Sequence, residues 1–266
     1  MRILKANHLL YSLTVCMEVS DSWIEDYLCF FFNFEKVDYV PSCTESVYIR
    51  EERVNQLVVS FQNREMICEK NCDNIIGKLT TWINGIINDL LYQNGVMVFH
   101  GSSCLLDGKA YVFIGKRGNG KTTLMKKLID KRALFISDDN VYYCQNDKKI
   151  YPSYLGMRIK DNQLIDETKI SVFRFQNSHI TFCQPKVRCN SGISAIKVVF
   201  LTNEYMDDCV TMPFDKGIHV LLANIKNANS GKVFMKALVD FYNASTPYIM
   251  NPFILSDAEL IRYDKQ

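Results

Sequence analysis

The spacing of apolar positions changes several times along this chain, and each change predicts a different element. Residues 1 to about 66 alternate short apolar runs with polar breaks; Val47-Tyr48-Ile49 and Gln56-Leu57-Val58-Val59-Ser60-Phe61 predict strands. Between residues 72 and 94 the period lengthens. Ile75, Ile76, Leu79, Trp82, Ile83, Ile86, Leu90 and Leu91 recur at helical spacing, and Asn94-Gly95 ends the helix. That stripe is a packing face, and nothing before it carries evident chemistry. The pattern predicts a β-rich segment closed by a helix over 1–94 and a separate domain over 95–266.

Past the helix, Val96-Met97-Val98-Phe99-His100-Gly101-Ser102-Ser103-Cys104-Leu105-Leu106 is followed by Asp107-Gly108 and then by Ala110-Tyr111-Val112-Phe113-Ile114. Asp-Gly between two apolar runs predicts a two-residue hairpin, because both turn residues need positive φ. The register then follows by counting: Leu106 faces Lys109, Leu105 faces Ala110, and His100 falls opposite Gly115. A helix comes next, with Leu124, Leu128 and Ile129 on one face, and then a strand, Ala133 to Ser137, ending in Asp138-Asp139. A second hairpin joins Val141–Cys144 to Lys149–Tyr151 around Asn146-Asp147. Ala195–Leu201 predicts a buried strand, Ser230–Tyr242 a helix with Phe234, Leu238 and Phe241 inward, and Ile249–Leu255 a last strand. There is no internal repeat or low-complexity tract.

Candidate chemistry concentrates between the first hairpin and the paired aspartates. Gly115-Lys116-Arg117-Gly118-Asn119-Gly120-Lys121-Thr122 fits G-x-x-x-x-G-K-[ST], the phosphate-cradling P-loop, in the strand–loop–helix setting that this motif requires. Glycines let backbone N–H groups close on phosphate, the lysine neutralises the terminal phosphates, the threonine hydroxyl can ligate Mg²⁺, and the helix start favours an anion. Of Asp138 and Asp139, one carboxylate could ligate the metal and the other accept a proton from an attacking hydroxyl. Neighbours on an extended strand point to opposite sides, so the two have different roles. His100, placed by the hairpin register, could contact a phosphate or hold a carboxylate.

Composition narrows the class. A formal net charge of +2 over 266 residues argues against nucleic acid as partner, and 48% hydrophobic residues supply a sizeable core. The ten cysteines are scattered without zinc-site spacing, and no leader precedes them, which predicts a thiol-bearing cytoplasmic protein. The apolar cluster around Tyr27–Phe34 is interrupted by Asn33 and too short to span a bilayer, so no membrane partner is expected.

His100-Gly101, the Asp107-Gly108 hairpin, the glycine loop and Ser137-Asp138-Asp139 together resemble the HPr kinase/phosphorylase family, which shares its core with ATP-dependent phosphoenolpyruvate carboxykinase. The resemblance is greater to the HPr kinase-like proteins that modify peptides. It covers about residue 75 to the C-terminus and extends to Tyr151–Arg158, Ile196–Leu201 and Lys232–Tyr242. It implies an α/β fold with an HPr kinase/phosphoenolpyruvate carboxykinase-like P-loop core and a mixed, partly antiparallel sheet. It also implies ATP bound through Gly115, Gly118, Asn119, Gly120, Lys121, Thr122 and Thr123, and Mg²⁺ held by Thr122 and Asp139. Asp138 would be the general base, His100 its support, and Arg158 a phosphate or substrate contact. The implied reaction is Mg²⁺-ATP-dependent transfer to a Ser or Thr hydroxyl of a peptide or protein. Arg117 stands where the family often has a small residue, and Thr122 where serine is common. The later signature with which the family handles HPr is not recognisable, so HPr itself is not the expected acceptor. Two further readings remain: a nucleotide-binding regulator without transferase activity, and a small-molecule hydroxyl kinase. HPr kinases are hexamers, which leaves a homo-oligomer open.

Overall fold

In the computed structural model, the residues described are 1–6, 8–39, 45–70, 75–153, 155–160, 170–174, 180–205, 208–227 and 232–252. They form a mixed α/β structure, and the chain divides into two compact units, Met1–Asn94 and Gly95–Gln266.

The first unit contains β1 (Arg2–Ala6), β2 (Leu13–Glu18), α1 (Ser22–Phe32), β3 (Phe34–Val37), β4 (Glu45–Arg53), β5 (Gln56–Phe61), β6 (Arg64–Glu69) and α2 (Ile75–Gln93). The strands form one sheet in the order β3-β1-β2-β4-β5-β6. All its pairs are antiparallel except β2 with β4. Along β4, Val47 and Ile49 are buried while Tyr48 is exposed, the period-2 signature of a sheet covered on one face. Helix α1 buries Ile24, Tyr27, Leu28, Phe31 and Phe32, and stops where Asn33 takes the left-handed conformation (φ 55°) that a short polar side chain tolerates. Helix α2 buries Leu79, Ile83, Ile86, Leu90 and Leu91, the stripe read from the sequence. A hydrogen bond between Tyr27 and Thr80 hydroxyls joins the two helices.

The second unit begins with β7 (Val96–Phe99), β8 (Gly101–Leu106), β9 (Lys109–Gly115), α3 (Lys121–Lys131), β10 (Leu134–Ser137), β11 (Val141–Cys144) and β12 (Lys149–Tyr151). It continues with β13 (Met157–Lys160), β14 (Ile170–Arg174), β15 (Ile180–Pro185), β16 (Ile196–Leu201), β17 (Val210–Thr211), α4 (Phe214–Ala223), α5 (Lys232–Ala244) and β18 (Thr246–Met250). Its main sheet runs β10-β8-β9-β16-β18-β17, with two three-stranded sheets, β12-β11-β7 and β13-β15-β14, beside it. Strand β9 is antiparallel to β8 but parallel to β16, and β16 is parallel to β18, so the main sheet is mixed.

Both central strands are buried on two faces, which explains their unbroken apolar runs. Val112 and Ile114 of β9 and Val198 and Phe200 of β16 share a core with α4, α5 and the β7–β11 pair. Tyr111, Phe113, Val199 and Leu201 share the opposite core with Leu124, Met125 and Leu128 of α3. Phe241 of α5 lies 4.9 Å from the Phe99 ring and 4.6 Å from that of Tyr143, tying the helix to the β7–β11 sheet.

The structure corrects one expectation that bears on function. Val96–Leu106 is not one strand: it breaks at His100, and its halves join different sheets. The second half opens on Gly101. A Cβ there would lie 2.7 Å from the Phe113 carbonyl oxygen and 2.8 Å from Ile114 Cδ1, so β8 approaches β9 more closely than a side chain allows. The final strand runs Thr246–Met250, earlier than expected, because Pro247 masked its start in the pattern; Phe253–Leu255, and Ser230 and Gly231 of the expected helix, lie outside the described residues. Among the described residues, no helix is long and apolar enough to cross a membrane.

Candidate functional site

The site is assembled from the ends of β7, β9 and β10 and the start of α3. The β8–β9 hairpin adopts the counted register, from Leu106 opposite Lys109 to Gly101 opposite Ile114. Gly115 ends β9 against β16, where a Cβ would sit 2.7 Å from the Leu201 carbonyl oxygen. Gly118 and Gly120 then take φ of 91° and 80°, a region that glycine enters without steric cost. Gly120 precedes α3 with no side-chain cap, so the N-cap residue leaves the opening amides of the helix unbonded.

Inside the turn, Lys121 Nζ donates to the Gly115 carbonyl at 2.7 Å and to that of Lys116 at 3.1 Å. Burial lowers the Lys121 pKa, opposed by the charges of Asp138 and Asp139 and assisted by that of Lys226. Asn119 holds the loop from within. Its Nδ2 donates to the Leu201 carbonyl at 2.7 Å and its main-chain N–H to Lys116 O at 3.2 Å. The buried side chain pins the loop to β16. Thr123 is exposed and makes none of these contacts, and Lys116, Arg117 and Gly118 are also exposed.

Thr122 Oγ1 donates to Asp138, 3.0 Å from Oδ1 and 3.3 Å from Oδ2. The threonine hydroxyl therefore meets the Asp138 carboxylate directly. Asp138 is 6% exposed, and burial, followed by the neighbouring charge of Asp139, pushes its carboxyl up to about 6. Asp139 turns the other way. Its φ of 65° puts it in the left-handed region, and its side chain is 53% exposed. One oxygen lies 3.1 Å from His100 Nδ1, the other 3.8 Å from Lys226 Nζ. Upstream, the buried Ser103 and Ser137 hydroxyls meet at 2.6 Å beside the shift in register between Phe135 and Ser137, fixing where β10 ends and the acids begin.

His100 occupies the corner between β7 and β8, where its N–H donates to the Asn224 carbonyl at 2.6 Å. Lys226 and Asn140, whose side chains hydrogen-bond to each other, were not foreseen. Lys226 follows α4 in a stretch with no motif, and only the chain path brings it to the aspartates. Arg158 pairs with Phe182 through the backbone of β13; its side chain lies outside the described residues.

No family model matches this chain, and no curated protein matches it.

Proposed function

We propose that this protein transfers the terminal phosphoryl group of Mg²⁺-ATP to a Ser or Thr hydroxyl of a peptide or protein, in the manner of the HPr kinase-like family. The observation that carries the reading is the division of labour between adjacent acids: one buried under the loop threonine, the other exposed beside an imidazole. The glycine turn, with its uncapped helix start and inward lysine, suits a triphosphate.

The donors suit Mg²⁺ as well. Asp138 is a buried carboxylate whose ionised form is disfavoured, and a divalent cation beside it would reverse that. Among the described residues, no three His, Cys, Asp or Glu side chains gather as a metal site. Mg²⁺ in nucleotide sites takes only one or two protein oxygens and completes its shell with phosphate and water, so Thr122 and Asp138 suffice. When bound, the ion would neutralise charge on the phosphates.

This reverses the roles implied by the family resemblance. Asp138 is enclosed and cannot meet a protein acceptor. Asp139 is open to solvent, with His100 to orient it. Asp139 takes the proton of the incoming hydroxyl as that oxygen bonds to phosphorus, and the bond from phosphorus to the bridging oxygen breaks to release ADP. Lys121 holds the phosphates through charge.

The test is transfer of label from γ-labelled ATP to a Ser/Thr peptide pool. Asp139→Asn should abolish transfer while nucleotide still binds, and Asp138→Asn should weaken the Mg²⁺ dependence of binding. Binding without turnover on any acceptor would leave a nucleotide-binding regulator instead.

A further inference from the structure

The geometry points to Lys226 as the cation that receives the terminal phosphate of a bound triphosphate, a task separate from that of Lys121. This rests on the phosphate-site reading above and deepens it.

The first observation is how firmly the lysine is mounted. Its main-chain N–H donates to Val98 O at 2.8 Å, and Phe99 bridges to Ile225. The Asn227 side chain receives Val98 N–H at 2.9 Å and donates to Val96 O at 2.9 Å. His100 N–H closes the same seam on Asn224 O. The residues from Asn224 to Asn227 are thus held along β7 by one β-bridge and by main-chain and side-chain hydrogen bonds that end at His100.

The second observation is what the side chain reaches. Lys226 is 26% exposed, hydrogen-bonds Asn140, and lies 3.8 Å from Asp139 Oδ2, while His100 approaches Oδ1 of the same carboxylate. Its charge adds to the lowering of the Lys121 pKa. Pairing with Asp139 alone is a weak reason for such a mount, because an ion pair at that distance with a half-exposed carboxylate contributes little. A transferring phosphoryl group spreads charge over its outer oxygens. A cation beside the exposed acid stands at that end, whereas Lys121 is folded back to the loop carbonyls.

The two lysines are separable with Mg–ADP and with Mg²⁺ plus the non-hydrolysable β,γ-imido analogue of ATP, titrated calorimetrically. Lys226→Met should weaken the triphosphate analogue roughly tenfold, as expected for a lost charge-assisted contact, and leave Mg–ADP unchanged. Lys226→Arg should restore most of the loss, and Lys121→Ala should weaken both ligands. Equal weakening of both ligands by Lys226→Met, or of neither, overturns the assignment while the phosphate site stands. Wild-type protein that binds neither ligand removes the site itself, and Lys226 with it.

Discussion

Asp138 carries the clearest electrostatic consequence of the site. Its folded pKa, about 6, lies above the ordinary carboxylate value, so the native state binds this proton more tightly than the unfolded chain does. Stability from this group is therefore fully present at low pH and is lost as pH rises through about 4 to 6. Asp138→Asn removes the ionisation. We expect it to stabilise the protein at pH 7.5 by about 1–3 kcal/mol, with the gain vanishing near pH 4. Urea denaturation at the two pH values measures this; a gain that ignores pH would mean that the acid is not strained by burial. The motif in the sequence brings a hydroxyl and an acid to one place but does not say which of two adjacent acids. The deciding feature is the positive φ of Asp139, which breaks the simple alternation of an extended strand, and no residue pattern announces it.

At the scale of elements, legibility followed local rules. The Asp-Gly turn sets its own hairpin, so six cross-strand pairs could be counted from sequence. The change of sheet at His100 could not, because β7 and β8 are both buried on two faces, Ser102 and Ser103 included, and that erases alternation. The parallel pairing of β16 with β9 and the β13–β15–β14 sheet were equally hidden, since pairing between distant segments leaves no local mark. Two glycines test the element-level reading in opposite directions. Gly101→Ala should cost about 1–3 kcal/mol, because its Cβ has no space between β8 and β9. It should also displace His100 and reduce transfer. Gly85, inside α2, has open space where a Cβ would stand, with no neighbouring atom within 4 Å, so Gly85→Ala should stabilise by about 0.5–1 kcal/mol through helix propensity. Thermal denaturation of both variants checks the pair, and equal effects would contradict the argument.

For the whole molecule, the chemistry is unevenly distributed. Every side chain assigned a role, from His100 to Lys226, belongs to Gly95–Gln266, and Met1–Asn94 contributes none. The division falls at Asn94-Gly95, where the helical period stops, a boundary readable from spacing alone. The purpose of the first unit was not readable, because its described residues specify a sheet and two helices, and among them no cluster of metal-ligating side chains gathers. A ligand that binds only the native second unit raises its opening free energy by about 2.7 kcal/mol at one hundred times the dissociation constant. Amides that exchange through opening of that unit should then slow by roughly a hundredfold. With Mg–ADP, hydrogen exchange should slow most from Gly115 through α3 and around Asp138, while β1–β6 stay as they were. Protection confined to the first unit would put the nucleotide somewhere other than the glycine turn. Protection in both would mean that the unit without catalytic side chains responds to the ligand, giving it the regulatory part that its sequence does not reveal.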